Sequence, residues 1–211
     1  MFPRFRLVLP MFPSFLLLLT VLASTAHGWA GPGSRIIENR GQLPDPVKYY
    51  AYCGEATVYF TGAGVVIDLP MRGHAVRMRF VDPQLPSTLE AGDQQPVRLN
   101  SFTGSDPERW KTDLHVFSEL VYLDLWPGVD LLCQATEGAL RYRILAAAGS
   151  KLEPGPWEER FAFDGVDGIT TDATGTTQLQ IPGGNLTEAP VASDGADRIL
   201  RWGGGSRMPR E

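Results

Sequence analysis

The chain has 211 residues, of which 43% are apolar and 20% charged, a balance that excludes a disordered polymer and suits one domain of ordinary size or two small ones. Its 23 glycines and 17 prolines, set among many Val, Thr, Phe and Tyr, favour short strands joined by tight turns. A formal net charge of −5 is a poor match for nucleic acid or anionic lipid, and no basic stripe with interleaved aromatics is present.

Residues 1–26 have the three parts of a secretory signal peptide. Arg4 and Arg6 give a positive start, Phe15 to Ala23 is an almost unbroken apolar run, and Ser24-Thr25-Ala26 offers small residues for cleavage after Ala26. Ala26-His27-Gly28 is a second option. Pro10 and Pro13 interrupt the run, whose core is too short to span a bilayer, so no membrane insertion is expected after cleavage. Removing the leader takes away two Arg and no acid, which leaves 17 basic against 24 acidic residues and a charge of −7. The expected organisation is a linker over 27–35, a β domain over 36–192 and a flexible tail over 193–211.

In "SRIIENRGQLPDPVKYYA", from Ser34 to Ala51, Gly41 lets the chain turn, and Glu38 and Arg40 pair with each other or with strand ends. Pro44 and Pro46 hold the approach extended into a strand with Val47, Tyr49, Ala51 and Cys53 on one face and Lys48, Tyr50 and Tyr52 on the other. Val58 and Phe60 lead into the turn Thr61-Gly62-Ala63-Gly64, and Val65, Ile67 and Leu69 lead out, a hairpin whose glycines supply positive φ. "HAVRMRF" alternates Val76, Met78 and Phe80 against Arg77 and Arg79; "LRYRI" alternates Leu140, Tyr142 and Ile144 against Arg141 and Arg143. Between them, strands Val121–Leu125 and Val129–Cys133 flank Trp126-Pro127-Gly128, with Pro127 and Gly128 at the central positions of a type II turn. Phe161 with Phe163, and Leu179 with Ile181, mark two more strands. Strands with one wet face belong to an antiparallel sheet, so the fold class is all-β, an antiparallel β-sandwich of short strands.

The pieces Glu38-Asn39-Arg40-Gly41-Gln42, Gly104-x-Asp106-Pro107-x-x-Trp110-x-Thr112 and Trp126-Pro127-Gly128-Val129-Asp130-Leu131 occur in this order along the chain. From about Arg35 to Ala192 it resembles the N-terminal domain of bacterial exported proteins with SBBP (β-propeller) repeats. The resemblance implies a β-rich module of unknown biochemical activity that precedes propeller or immunoglobulin-like domains in longer surface or secreted proteins. No repeats follow before Glu211, which leaves a truncated product, a fragment and a stand-alone version as readings.

Motifs that carry chemistry are sparse. His74 and His115 remain in the body of the chain; HExxH, GxSxG, a phosphate-cradling glycine loop and zinc-type Cys/His spacing are missing. Asp164, Asp167 and Asp172 lie in turns without the spacing of a calcium loop. Asp124 and Asp130, beside the Trp126 turn, are expected to face solvent or accept backbone N–H groups. No catalytic residue, metal or cofactor is expected. Possible ligand contacts are Trp110, Trp126, Glu38 and Arg40, although a buried or edge-covering role is the first expectation for Trp110. Cys53 and Cys133 both fall on apolar strand faces and are expected to be separate buried thiols. The leading expectation is a non-catalytic exported structural or interaction module, meeting an unknown protein or glycan at the cell surface. A carbohydrate-binding sandwich that uses Trp110, Trp126 or surface tyrosines is the alternative, which exposed coplanar aromatics would favour. A hydrolase with unmarked acids is the third, which two carboxylates facing each other in a cleft would favour.

Overall fold

The computed structural model describes residues 35–84, 87–102, 105–147, 157–191 and 195–202. The expected signal peptide and nearly all of the linker lie outside these residues. The described chain forms fourteen strands and three short 3-10 turns. The strands are β1 (Ile36–Glu38), β2 (Val47–Cys53), β3 (Ala56–Thr61), β4 (Gly64–Leu69), β5 (His74–Phe80), β6 (Thr88–Ser101), β7 (Lys111–Trp126), β8 (Val129–Thr136), β9 (Ala139–Ala146), β10 (Phe161–Asp164), β11 (Gly168–Thr171), β12 (Thr177–Ile181), β13 (Gly184–Pro190) and β14 (Asp197–Arg201).

Every pairing is antiparallel, as the one-wet-face alternation implies. The ladder is one continuous sheet in the order β10-β5-β4-β3-β2-β1-β7-β8-β9-β14-β13-β12-β11, with β6 paired to β7. The expected all-β antiparallel class holds, as one sheet rather than two stacked ones, and strands distant in the ladder meet in a common core. Phe80 on β5 meets Tyr122 on β7 with ring centroids 4.8 Å apart, and Tyr142 on β9 meets Phe161 on β10 at 4.9 Å. The Tyr122 hydroxyl donates across the core to Thr61 O at 3.0 Å. Trp202 Nε1 donates to Cys53 O at 3.0 Å, which ties the end of β14 to β2.

The two ends of the ladder, β10 and β11, are consecutive in the chain and joined by Gly165, Val166 and Asp167. Gly165 has a φ of +80°, and a Cβ there would lie 2.5 Å from Ala75 O, so only glycine lets the connection cross β5 so closely. His74 Nε2 donates to Gly165 O at 2.6 Å and Asp167 N–H to Gln180 O at 2.7 Å, which fastens the two ends together.

Local details depart from the expectations in four places. The segment before β2 turns rather than running extended: the Asp45–Pro46 bond is cis, and Val47 N–H donates to Pro44 O at 3.2 Å. A register shift between Val47 and Tyr49 puts Val47 out of phase, so Tyr49, Ala51 and Cys53 face the core and Val47 does not. In the first hairpin the loop is Gly62-Ala63, and Gly64 already pairs with Thr61 in the ladder. Gly64 carries the positive φ, +151°, because Met78 O on β5 would lie 2.3 Å from any Cβ. The fourth correction concerns the expected flexible tail over 193–211. Its residues 197–201 are β14, held between β9 and β13, with Asp197, Arg198, Leu200 and Trp202 buried. Residues 203–211 lie outside the described chain.

Candidate functional site

The polar cluster after β1 is a scaffold. Asn39 donates from Nδ2 to Leu43 O (2.9 Å) and Val47 O (2.7 Å), and its Oδ1 accepts from Gly41 N (3.1 Å) and Leu43 N (3.0 Å). Buried Gln42 accepts from Arg40 N at 2.8 Å and donates to Glu38 O at 2.6 Å. Glu38 and Arg40 do not pair with each other. Glu38 Oε1 accepts from His115 N at 2.8 Å, which links β1 to β7, while the Arg40 side chain is exposed. Both amide side chains and Glu38 are therefore occupied in fixing the loop, which leaves Arg40 alone of this group facing solvent.

The two tryptophans named as possible ligand contacts differ in exposure. Trp126 is 0% exposed, with Nε1 donating to Val81 O at 2.8 Å, so it offers no surface to a ligand. Burial of so large an apolar ring outweighs display, and the turn beside it holds it in place. There Gly128 has φ +72°, its N–H donates to Asp124 Oδ1 at 2.7 Å, and Asp130 Oδ1 accepts from Asp124 N at 2.7 Å. Both acids accept backbone N–H groups, as expected. Trp110, expected to be buried or to cover an edge, is instead 44% exposed and stands edge-on to Phe102, itself 60% exposed, at 5.7 Å. Asp106 builds the turn that carries it, accepting from Glu108 N at 3.0 Å.

Phe102 and Trp110 stand at one end of the outer face of the sheet, which is far from uniformly polar. Ile37, Tyr50 and Leu114 are buried there in a second apolar cluster, with Leu43, Tyr59 and Leu99 packed against them. Strand pairings align Arg77, Val66, Tyr59, Tyr50 and Ile37 as one row across β5, β4, β3, β2 and β1. A cleft opens at each end of this row. The first, about 440 Å³, has walls of Arg35, Tyr50, Tyr52, Asn100, Ser101 and Phe102. Tyr52 is 66% exposed and lies edge-on to Tyr50 at 5.6 Å. The second, about 410 Å³, is bounded by Pro46, Val47, Tyr59, Val66, Arg77 and Arg79. Burial, then the Asp68 carboxylate and Tyr52, push the Tyr59 hydroxyl above its ordinary value. Among the described residues, neither cleft is lined by an Asp or Glu. Tyr52 and the two Arg are outward by simple alternation. Nothing in the local pattern marks Phe102 or Tyr59, because only the pairing of distant strands brings them beside the others.

A third cavity, about 290 Å³, lies where the sheet ends meet and includes Arg79, Tyr142, Asp164 and Glu188 in its lining. Its two acids are already bound. Asp164 holds Arg79 through two hydrogen bonds of 2.5 and 3.0 Å, which lower its pKa. Glu188 is buried and accepts from Tyr142 Oη at 2.6 Å and from both Nε and Nη2 of Arg198. Asp172 accepts from the N–H and hydroxyl of Thr174 and from Thr176 N, an ordinary turn, while Asp167 is exposed. Among the described residues, no group of three His, Cys, Asp or Glu is arranged to hold a metal ion, and no helix is long and apolar enough to cross a membrane.

No curated protein and no solved structure matches the chain. A family model described as a domain of unknown function, DUF7948, matches residues 36–193, most of the chain and nearly all of its strands. The chain belongs to the DUF7948 family.

Proposed function

We propose that the chain is a non-catalytic interaction module, exported through its N-terminal leader, whose contact surface is the outer face of β1–β5 together with the segment 99–102. The observation that carries this reading is the exposure of Tyr52 and Phe102 in one cleft, with Trp110 exposed against Phe102, above an apolar cluster. Exposed aromatic groups on a rigid floor cost little ordering entropy on binding, and such residues dominate contact energies. The occupied state of Asp164 and Glu188 weighs against the hydrolase alternative. The resemblance to the N-terminal domain of SBBP-repeat proteins supports a setting at the cell surface within a larger assembly.

Co-sedimentation with purified bacterial cell envelopes tests the reading. The chain is expected to pellet with envelopes, and a Tyr52→Ala/Phe102→Ala variant with unchanged circular dichroism is expected to stay in the supernatant. Equal pelleting of the two proteins would move the contact surface elsewhere.

A further inference from the structure

We propose that the two outer-face clefts form one track for a single acidic polysaccharide chain, a carboxylate-bearing glycan, with Arg77 and Arg35 as its charge contacts. This rests on the interaction-module reading above and names its ligand class.

Three observations converge. The first is continuity. The row Arg77–Val66–Tyr59–Tyr50–Ile37 underlies both clefts across four strand spacings, roughly 19 Å at about 4.8 Å each, enough for a short oligosaccharide, with Tyr50 and Ile37 as its buried floor. The second is charge. On a protein with net charge −5, the two clefts contain Arg35, Arg77 and Arg79 and, among the described residues, no acid. Asp164 holds Arg79. Asp164 lies cross-strand from Arg77 and within its electrostatic reach, but gives its hydrogen bonds to Arg79; Arg77 and Arg35 are exposed and make no ion-pair contact among the described residues, which leaves their guanidinium forks to a carboxylate. The third is the mixture of groups. Tyr52, Tyr59 and Phe102 offer ring faces for the C–H face of a sugar, and Asn100, whose Oδ1 accepts from Asp113 N at 3.0 Å, keeps its amide N–H groups for hydroxyls.

The ring geometry selects the form of the ligand. The pairs Tyr50–Tyr52 and Phe102–Trp110 stand at 83° and 86°, so they wall a groove and do not pave a flat platform. A groove suits one chain rather than a crystalline surface. An extended peptide is the weaker match, because β1–β5 are paired along the row and offer no free backbone edge for strand addition.

Affinity electrophoresis of the purified chain through gels containing sodium polygalacturonate, dextran or no polymer tests the proposal. Polygalacturonate is expected to retard the chain at least tenfold more strongly than dextran, and the retardation is expected to weaken with salt. Arg77→Ala and Tyr52→Ala are each expected to reduce it about tenfold, Arg35→Ala/Arg77→Ala to abolish it, and Arg201→Ala, at the far end of β14, to leave it unchanged. Each variant is first checked for an unaltered melting temperature. The proposal is overturned if polygalacturonate gives no retardation, if dextran retards equally, or if poly-L-glutamate competes as well as the glycan. It also falls if Tyr52→Ala matters while Arg35→Ala/Arg77→Ala does not; that pattern would leave the outer-face contact surface standing and remove the acidic glycan alone.

Discussion

Asn39 uses both halves of its amide twice, and its four partners span the loop from Gly41 to Val47. At roughly 1 kcal/mol for each of these four hydrogen bonds, Asn39→Ala is expected to destabilise the domain by about 4 kcal/mol in urea unfolding. A loss below about 0.5 kcal/mol would show that water replaces the amide freely. The sequence announces a turn here through Gly41, but not which residue organises it, since Glu38 and Arg40 look equally capable. Register decides: it sets Glu38 against β7 and leaves Arg40 outside. Cys53 and Cys133 are buried and free, as their apolar strand faces imply. Burial raises the Cys53 thiol from 9.0 to about 12 and Cys133 higher still. Two consequences follow at the same residues. Iodoacetamide at pH 8 should label neither thiol in the folded chain and both in urea, read by mass; prompt native labelling, or a product two hydrogens light, would contradict this. Because the folded pKa values lie above the unfolded one, the stabilising contribution of the neutral thiols is complete below pH 9 and is lost as pH rises towards about 12. The urea midpoint should therefore fall across that window.

Among the elements, β14 departs most from what the sequence suggests. "DRILR" is short, lies between glycine-rich stretches, and reads as the start of a tail. Its inward side is supplied by partners far away in the chain. Arg198 is buried against Glu188, and Asp197 meets Arg141 and Arg143 on β9. Burial alone would raise the Asp197 carboxyl, but the two guanidiniums outweigh it and hold the carboxyl below its ordinary range. That contribution is present above pH 3.8 and is lost as pH falls through the lowered value. Arg198→Met strands the Glu188 carboxylate in the core and is expected to cost about 3–5 kcal/mol, whereas Glu188→Leu/Arg198→Met should recover most of the loss. If the double variant is no more stable than the single one, the pair contributes by packing rather than by charge. The family match ends at residue 193, before β14. A chain stopped there is expected to lose cooperative unfolding, since β9 and β13 would lose the strand between them. β6 was illegible for a different reason. Gly92, Pro96 and six charged or amide residues in "TLEAGDQQPVRLNS" erase the alternation, and these residues are at home in a strand with a single partner.

At the scale of the whole molecule, the all-β antiparallel character was legible because alternation is local: each strand states its own inner face. The order of the one fourteen-stranded sheet was not, because bringing its ends β10 and β11 to a shared three-residue connection depends on Gly165 and on contacts between strands far apart in the ladder. The outer-face track shares that origin. Its tyrosines and arginines are visible singly in the sequence, and only cross-strand register sets them in a row. Hydrogen–deuterium exchange of the purified chain, with and without sodium polygalacturonate, tests the claim that this face is the contact surface. Protection is expected in residues 47–61, 64–80 and 99–102, with β12–β14 unchanged. Protection confined to the cavity of Tyr142 and Glu188, or no protection anywhere, would contradict it.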